Sequence, residues 1–150
     1  MVATSSLCRW RNYMAEVVDI FTRKPVEQRP TFDTVIEETI HILQHDWQHM
    51  AKTNSLNEYF IRQMEIWTIP ETPYMMSLDA IAEIEKKLNY SIVIQGPVAH
   101  HMGWRVSFVL AGGTVSTPSM AFETYARCFA ALLFIKLKHR LIALDMTEYI

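Results

Sequence analysis

Hydrophobic and polar positions follow two rhythms along this chain, and each rhythm predicts a different kind of element. Leu7, Trp10, Met14, Val17 and Phe21 recur at three- and four-residue steps, which places them on one stripe of a helix beginning near Thr4 or Ser5. Ile36, Ile40, Leu43, Trp47 and Met50 repeat the pattern in a second helix that Thr31 can cap and Asn54 can stop. Asp33, Glu37 and Glu38 suit its N-terminal end through the helix dipole. Ser55 followed by Glu58 is a capping-box pattern, and it opens a third helix with the stripe Leu56, Phe60, Gln63/Met64 and Trp67. Glu58 and Arg62 are spaced there for an i, i+4 pair. Three amphipathic helices with short connections predict a small antiparallel bundle over residues 1–69.

The stretch TIPETPY, with Pro70 and Pro73, breaks the helical rhythm and divides the chain. Beyond it, Ser77 can cap a fourth helix whose Leu78, Ile81, Ile84 and Leu88 face inward, with Glu83 four residues before Lys87. The rhythm then changes to two. Tyr90, Ile92 and Ile94 alternate with Ser91, Val93 and Gln95, and Trp104, Val106, Phe108 and Leu110 alternate with Arg105, Ser107 and Val109. This predicts an antiparallel β-hairpin with one apolar face, closed by the loop GPVAHHMG. Gly112 and Gly113 end the second strand, and Thr117 with Pro118 makes an N-cap and first-turn pair for a long helix, SMAFETYARCFAALLFIKLKHR. That helix is apolar around most of its circumference and needs cover on several sides, from the rest of the chain or from a second copy meeting it at residues 119–137. The expected class is therefore α+β: an N-terminal three-helix bundle (1–69) followed by a helix, antiparallel β-hairpin, long helix unit (70–150), packed together as one compact protein.

The order helix, strand, strand, helix from Ser77 to about Leu137, with MGWRV opening the second strand, resembles the small phage domains described as an ABA sandwich. The resemblance rests on Trp104, Arg105, Val106 and the element order, and it does not extend to residues 1–76. It implies a phage or prophage origin and no particular activity.

Half of the 150 residues are hydrophobic and 20% are charged, a balance that excludes a disordered chain. The opening segment has no apolar run after a basic cluster, and CFAALLFI is far too short to span a bilayer, so a cytoplasmic protein without membrane contact is expected. Cys8 and Cys128 fall within hydrophobic helical patterns and read as buried free thiols. The formal net charge of −2 hides a segregation, because residues 31–85 hold ten acidic side chains against two basic ones. Such a segment repels a phosphate backbone and favours a protein partner with a basic surface. Short basic groups at Arg9 and Arg11, and at Lys136, Lys138, His139 and Arg140, keep nucleic-acid binding as an alternative.

Chemistry concentrates in the second helix, where His41, His45 and His49 follow one another at four-residue steps. Imidazoles at that spacing share a helix face, and with Glu37 on the same row they form an alternative metal-ligating set of Glu37, His41, His45 and His49. The apolar stripe lies on the opposite side of the helix, which turns the row away from the bundle and makes it either a solvated face or a contact surface. Protonation at about pH 6 would add up to three charges there, giving any partner held by the row a pH-sensitive grip. Glu38, His41, His45, Asp46 and His49, with His100 and His101 in the hairpin loop, are the partner-binding candidates. Nucleophile and phosphate-loop patterns are absent, so the chain reads as a non-enzymatic interaction protein with no cofactor, one that inhibits a host or bacterial defence protein if it is phage-encoded.

Overall fold

The most apolar stretch of the chain becomes the helix on which the other elements pack. The computed structural model describes residues 29–98 and 102–150. In it, α4 (Glu123–Ala143) buries Ala126, Cys128 to Phe134, Leu137 and Leu141. Around it lie α1 (Phe32–Lys52), α3 (Leu78–Leu88) and one face of a three-stranded sheet, with α2 (Leu56–Gln63) and a short 3₁₀ turn at Tyr74–Met76 completing the cover. Phe32–Ile150 forms one compact unit. Residues on both sides of the 69/70 division belong to the same core, from Val35 and Trp47 to Phe108 and Leu133. The helix expected over Leu7 to Phe21, Cys8, and the loop residues His100 and His101 lie outside the described residues.

Within that frame the class is α+β, and several details differ from the sequence reading. The hairpin of β1 (Ile92–Gln95) and β2 (Arg105–Leu110) is extended by a third antiparallel strand, β3 (Gly113–Ser116), in the order β1-β2-β3. Gly112 belongs to the tight turn joining Leu110 to Gly113, and a Cβ there would meet the Phe32 ring at 2.8 Å. Thr117 does not cap α4. Its hydroxyl accepts the Val106 amide at 3.1 Å, which ties the end of β3 to β2, and the helix starts six residues later at Glu123. Met120 meanwhile exchanges main-chain bonds with Trp104.

One sheet face packs on α4 through Val106, Phe108, Leu110 and Val115, with the Tyr90 ring 4.5 Å from Phe134 and 5.7 Å from Phe108. The other face leaves Val93 and Val109 exposed. With α4 covered by its own chain, the contact expected from a second copy at residues 119–137 is not needed to bury that helix.

The helix ends obey local chemistry. Asn54 and Asp145 adopt left-handed backbone angles just past α1 and α4, where the amides of Ser55 and Met146 bond back to Met50 and Leu141 at 2.8 Å. These are Schellman closures built on Asn and Asp, in a chain with only four glycines. Asn89 closes α3 from the same backbone region. Ser77 caps α3 as expected, accepting the Ala80 amide at 3.1 Å. Ser55 does not form its capping box, because its hydroxyl donates to the Thr53 carbonyl instead. No ion pair joins Glu58 to Arg62, and Glu83 meets Lys86 rather than Lys87. Leu78 is largely exposed, leaving Ile81, Ile84 and Leu88 as the buried stripe of α3.

In α1 the buried line is Phe32, Val35, Thr39, Leu43 and Trp47, a slight rotation from the expected stripe. Ile36, Ile40 and Met50 are partly buried at its side. The rotation is tolerable because Thr39 hides its hydroxyl by donating to the Val35 carbonyl at 2.7 Å. Trp47 fixes the helix against α4 through edge-on ring contacts with Phe129 at 5.3 Å and Tyr125 at 6.1 Å.

Candidate functional site

Since Val35, Leu43 and Trp47 hold α1 against the core, its opposite side is presented as a fixed surface. His41, His45 and His49 are exposed on it, as are Glu37 and Glu38, while Asp46 is half-buried. Each four-residue step advances about 400° around a 3.6-residue helix and so overshoots a full turn by about 40°, which makes the row drift along its length. Among the described residues no three His, Cys, Asp or Glu side chains come together as a metal-binding group, and Glu37, His41, His45 and His49 remain a row rather than a cluster.

Two of the acidic candidates are engaged by other elements. Glu38 accepts from the Arg140 guanidinium of α4 at 3.0 Å, in a half-exposed pair whose contribution to stability is small. Asp46 lies near enough to the Tyr59 hydroxyl of α2 to disfavour its ionisation. Burial, followed by the Asp46 charge, pushes the Tyr59 phenol up to about 12, so Tyr59 stays neutral.

Between these contacts a groove opens at the junction of α1, α2 and α4, with a volume of about 170 Å³. Thr39, Leu43 and Ile42 form its α1 wall, and Tyr59, Gln63, Lys136 and Arg140 complete it with Asp46. Lys136 has no ion-pair partner among the described residues. Ile42 stands at the rim, 49% exposed, and continues into a shallow depression shared with Glu37, Glu38 and His41. The arrangement suits recognition: an apolar centre, a side-chain-sized recess, and polar groups of both signs at its edge.

Sequence reasoning found Glu38, His41 and Asp46 on this surface and missed Ile42, Tyr59, Gln63, Lys136 and Arg140. Ile42 did carry a signal, being a β-branched apolar residue on the polar side of an otherwise amphipathic helix. The others lie far apart in sequence and meet only through the tertiary fold. The basic group at 136–140 is also partly spent within the chain, as Lys138 stands over the Phe134 ring at 4.9 Å and Arg140 pairs with Glu38.

A second polar cluster lies between α3 and α4. Arg127 donates through Nε to Glu85 at 2.9 Å and through Nη1 to Glu123 at 2.9 Å, with Arg127 and Glu85 both nearly buried. The bonds to Glu85 hold the guanidinium firmly protonated. Beside it, burial and then the Glu85 charge push both the Tyr90 phenol and the Cys128 thiol upward. Cys128 is a free, buried thiol whose sulfur donates to the Tyr74 carbonyl at 3.7 Å. A thiol raised in this way has little thiolate at neutral pH, so the cluster is a brace between two helices rather than an activated nucleophile.

Among the described residues no helix is long and apolar enough to cross a membrane. Comparison with protein-family models, curated proteins and solved structures finds no match to the chain.

Proposed function

We propose that this chain is a non-enzymatic accessory protein that works by binding another protein through the outer face of α1 and the groove beside it. The observation that carries this reading is Ile42. A half-exposed isoleucine amid Glu37, Glu38, His41 and His45, on a helix locked from behind by Trp47, has the make-up of an interface centre with a polar rim. The groove next to it accepts a single partner side chain. Asp33, Glu37, Glu38 and Asp46 outnumber Lys52 on α1, which favours a partner whose surface is basic.

The finer form of the proposal is a phage-encoded inhibitor of a bacterial defence protein, acting in the host cytoplasm. It rests on the sequence resemblance of residues 77–137, whose element order is lengthened by β3.

A photo-reactive amino acid placed at His45, or at Val93 on the far face of the sheet, tests the contact surface in bacterial lysate. A discrete protein adduct from position 45 and none from position 93 is the expected outcome. Adducts from position 93 alone would move the interface to the sheet and reject the α1 face.

A further inference from the structure

A second exposed apolar surface lies where the 3₁₀ turn Tyr74–Met76 meets the first turn of α4. Met76 is 87% exposed and Phe122 57% exposed. Tyr125 joins them, since its ring meets Phe122 edge-on at 4.9 Å and it lines a groove of about 310 Å³ together with Ala51, Leu56, Met75 and Met76. The main chain of the turn is pinned on several sides. Asn57 donates to the Thr72 carbonyl at 2.8 Å and accepts the Met75 amide at 3.1 Å, while Thr124 donates to the Met75 carbonyl at 2.7 Å. These bonds, together with that of Cys128 to the Tyr74 carbonyl, fix a turn that points a methionine at solvent. A fixed backbone bearing an adaptable thioether beside aromatic rings is a surface suited to receiving apolar side chains of varied shape.

Charge decides which apolar segment suits it. Glu58 is the one charged residue lining the groove, and it has no ion-pair partner among the described residues. Glu71 and Asp79, both exposed and without an ion pair among the described residues, precede and follow the turn in the chain. The one charge lining the groove is thus a carboxylate, with no cation among the lining residues.

We infer that this groove docks a basic amphipathic peptide segment of a partner protein, with an apolar side chain seated against Met76 and Tyr125 and a lysine or arginine meeting Glu58. It is a site separate from the outer face of α1 and stands whether or not that face binds a protein.

The probe is a fluorescein-labelled synthetic helix of leucine and lysine, with a second helix in which glutamate replaces every lysine, titrated by anisotropy into the full chain. The leucine–lysine helix is expected to bind, the leucine–glutamate helix not. Met76→Asp and Glu58→Lys, both at exposed positions and checked for unchanged circular dichroism, should each weaken binding at least tenfold, and Ile42→Arg should leave it unchanged. Equal affinity in parent, Met76→Asp and Glu58→Lys would overturn the assignment, as would no binding to the parent. Concentration-dependent self-association that Met76→Asp abolishes would equally overturn it, by making a second copy the occupant.

Discussion

Helices α1 and α4 are each 21 residues long, yet they relate to the rest of the molecule in opposite ways. Around α4 nearly every side chain from Ala126 to Leu137 is buried, so packing alone accounts for its composition. On α1 packing accounts for one line of residues from Phe32 to Trp47, and it leaves Glu37, His41, Ile42, His45 and His49 unexplained on the exposed side. The difference separates two kinds of mutational sensitivity. Changes in α4 should be felt as lost stability, and changes on the outer side of α1 as lost binding in a protein that remains folded.

The largest effect is expected in the core. Phe129→Ala removes the ring against which Trp47 packs, and should cost about 3–5 kcal/mol in urea unfolding, enough to consume much of the stability of an ordinary domain. Next in size is Arg127→Ala, which strands the nearly buried Glu85 without its partner and should cost roughly 3 kcal/mol by the same measurement.

A smaller, pH-dependent effect belongs to Tyr59. Its phenol is raised to about 12 in the fold, above the ordinary value of about 10, so the fold favours the neutral form. The associated stability is complete below the ordinary value and is lost as pH rises toward the raised one. Thermal midpoints between about pH 8 and about pH 12 should therefore show the parent losing ground to Tyr59→Phe as the solution becomes alkaline. Tyr90 and Cys128 are raised in both proteins and cancel in the comparison. A constant difference would show that Asp46 and burial do not act on this hydroxyl. The smallest effect is for His41→Ala, His45→Ala and His49→Ala, each expected within about 0.5 kcal/mol of the parent in urea unfolding because the side chains face solvent.

The same contrast governs what the sequence could disclose. Long elements with a repeated apolar rhythm were legible: α1, α3 and the body of α4 were each expected in the right place, as was the hairpin. β3 was missed because GTVS is short and polar and buries only Val115, so it lacks a two-residue rhythm to read. Thr117 and Pro118 carried a genuine helix-start signal, which the fold uses for a strand end, where the hydroxyl takes the Val106 amide. Local chemistry also misled at Ser55, whose hydroxyl found the Thr53 carbonyl before the helix amides.

At the candidate site, the polar side of α1 followed from periodicity alone. Its groove did not, because Asp46, Tyr59, Lys136 and Arg140 converge only when α2 and α4 pack beside α1. The slight rotation of the buried stripe, from Ile36 and Ile40 toward Val35 and Thr39, depends on a hydroxyl satisfied within the helix, which a hydrophobicity pattern does not register.

The central claim is that the outer face of α1 binds a protein, and Ile42→Arg tests it most directly. The substitution replaces a half-exposed apolar side chain and should leave unfolding by urea unchanged within about 0.5 kcal/mol. Immobilised parent and Ile42→Arg proteins would be exposed side by side to bacterial lysate and the retained proteins compared by quantitative mass spectrometry. The account predicts a protein retained by the parent and depleted at least tenfold on the equally folded variant. Identical sets of retained proteins on the two would contradict it.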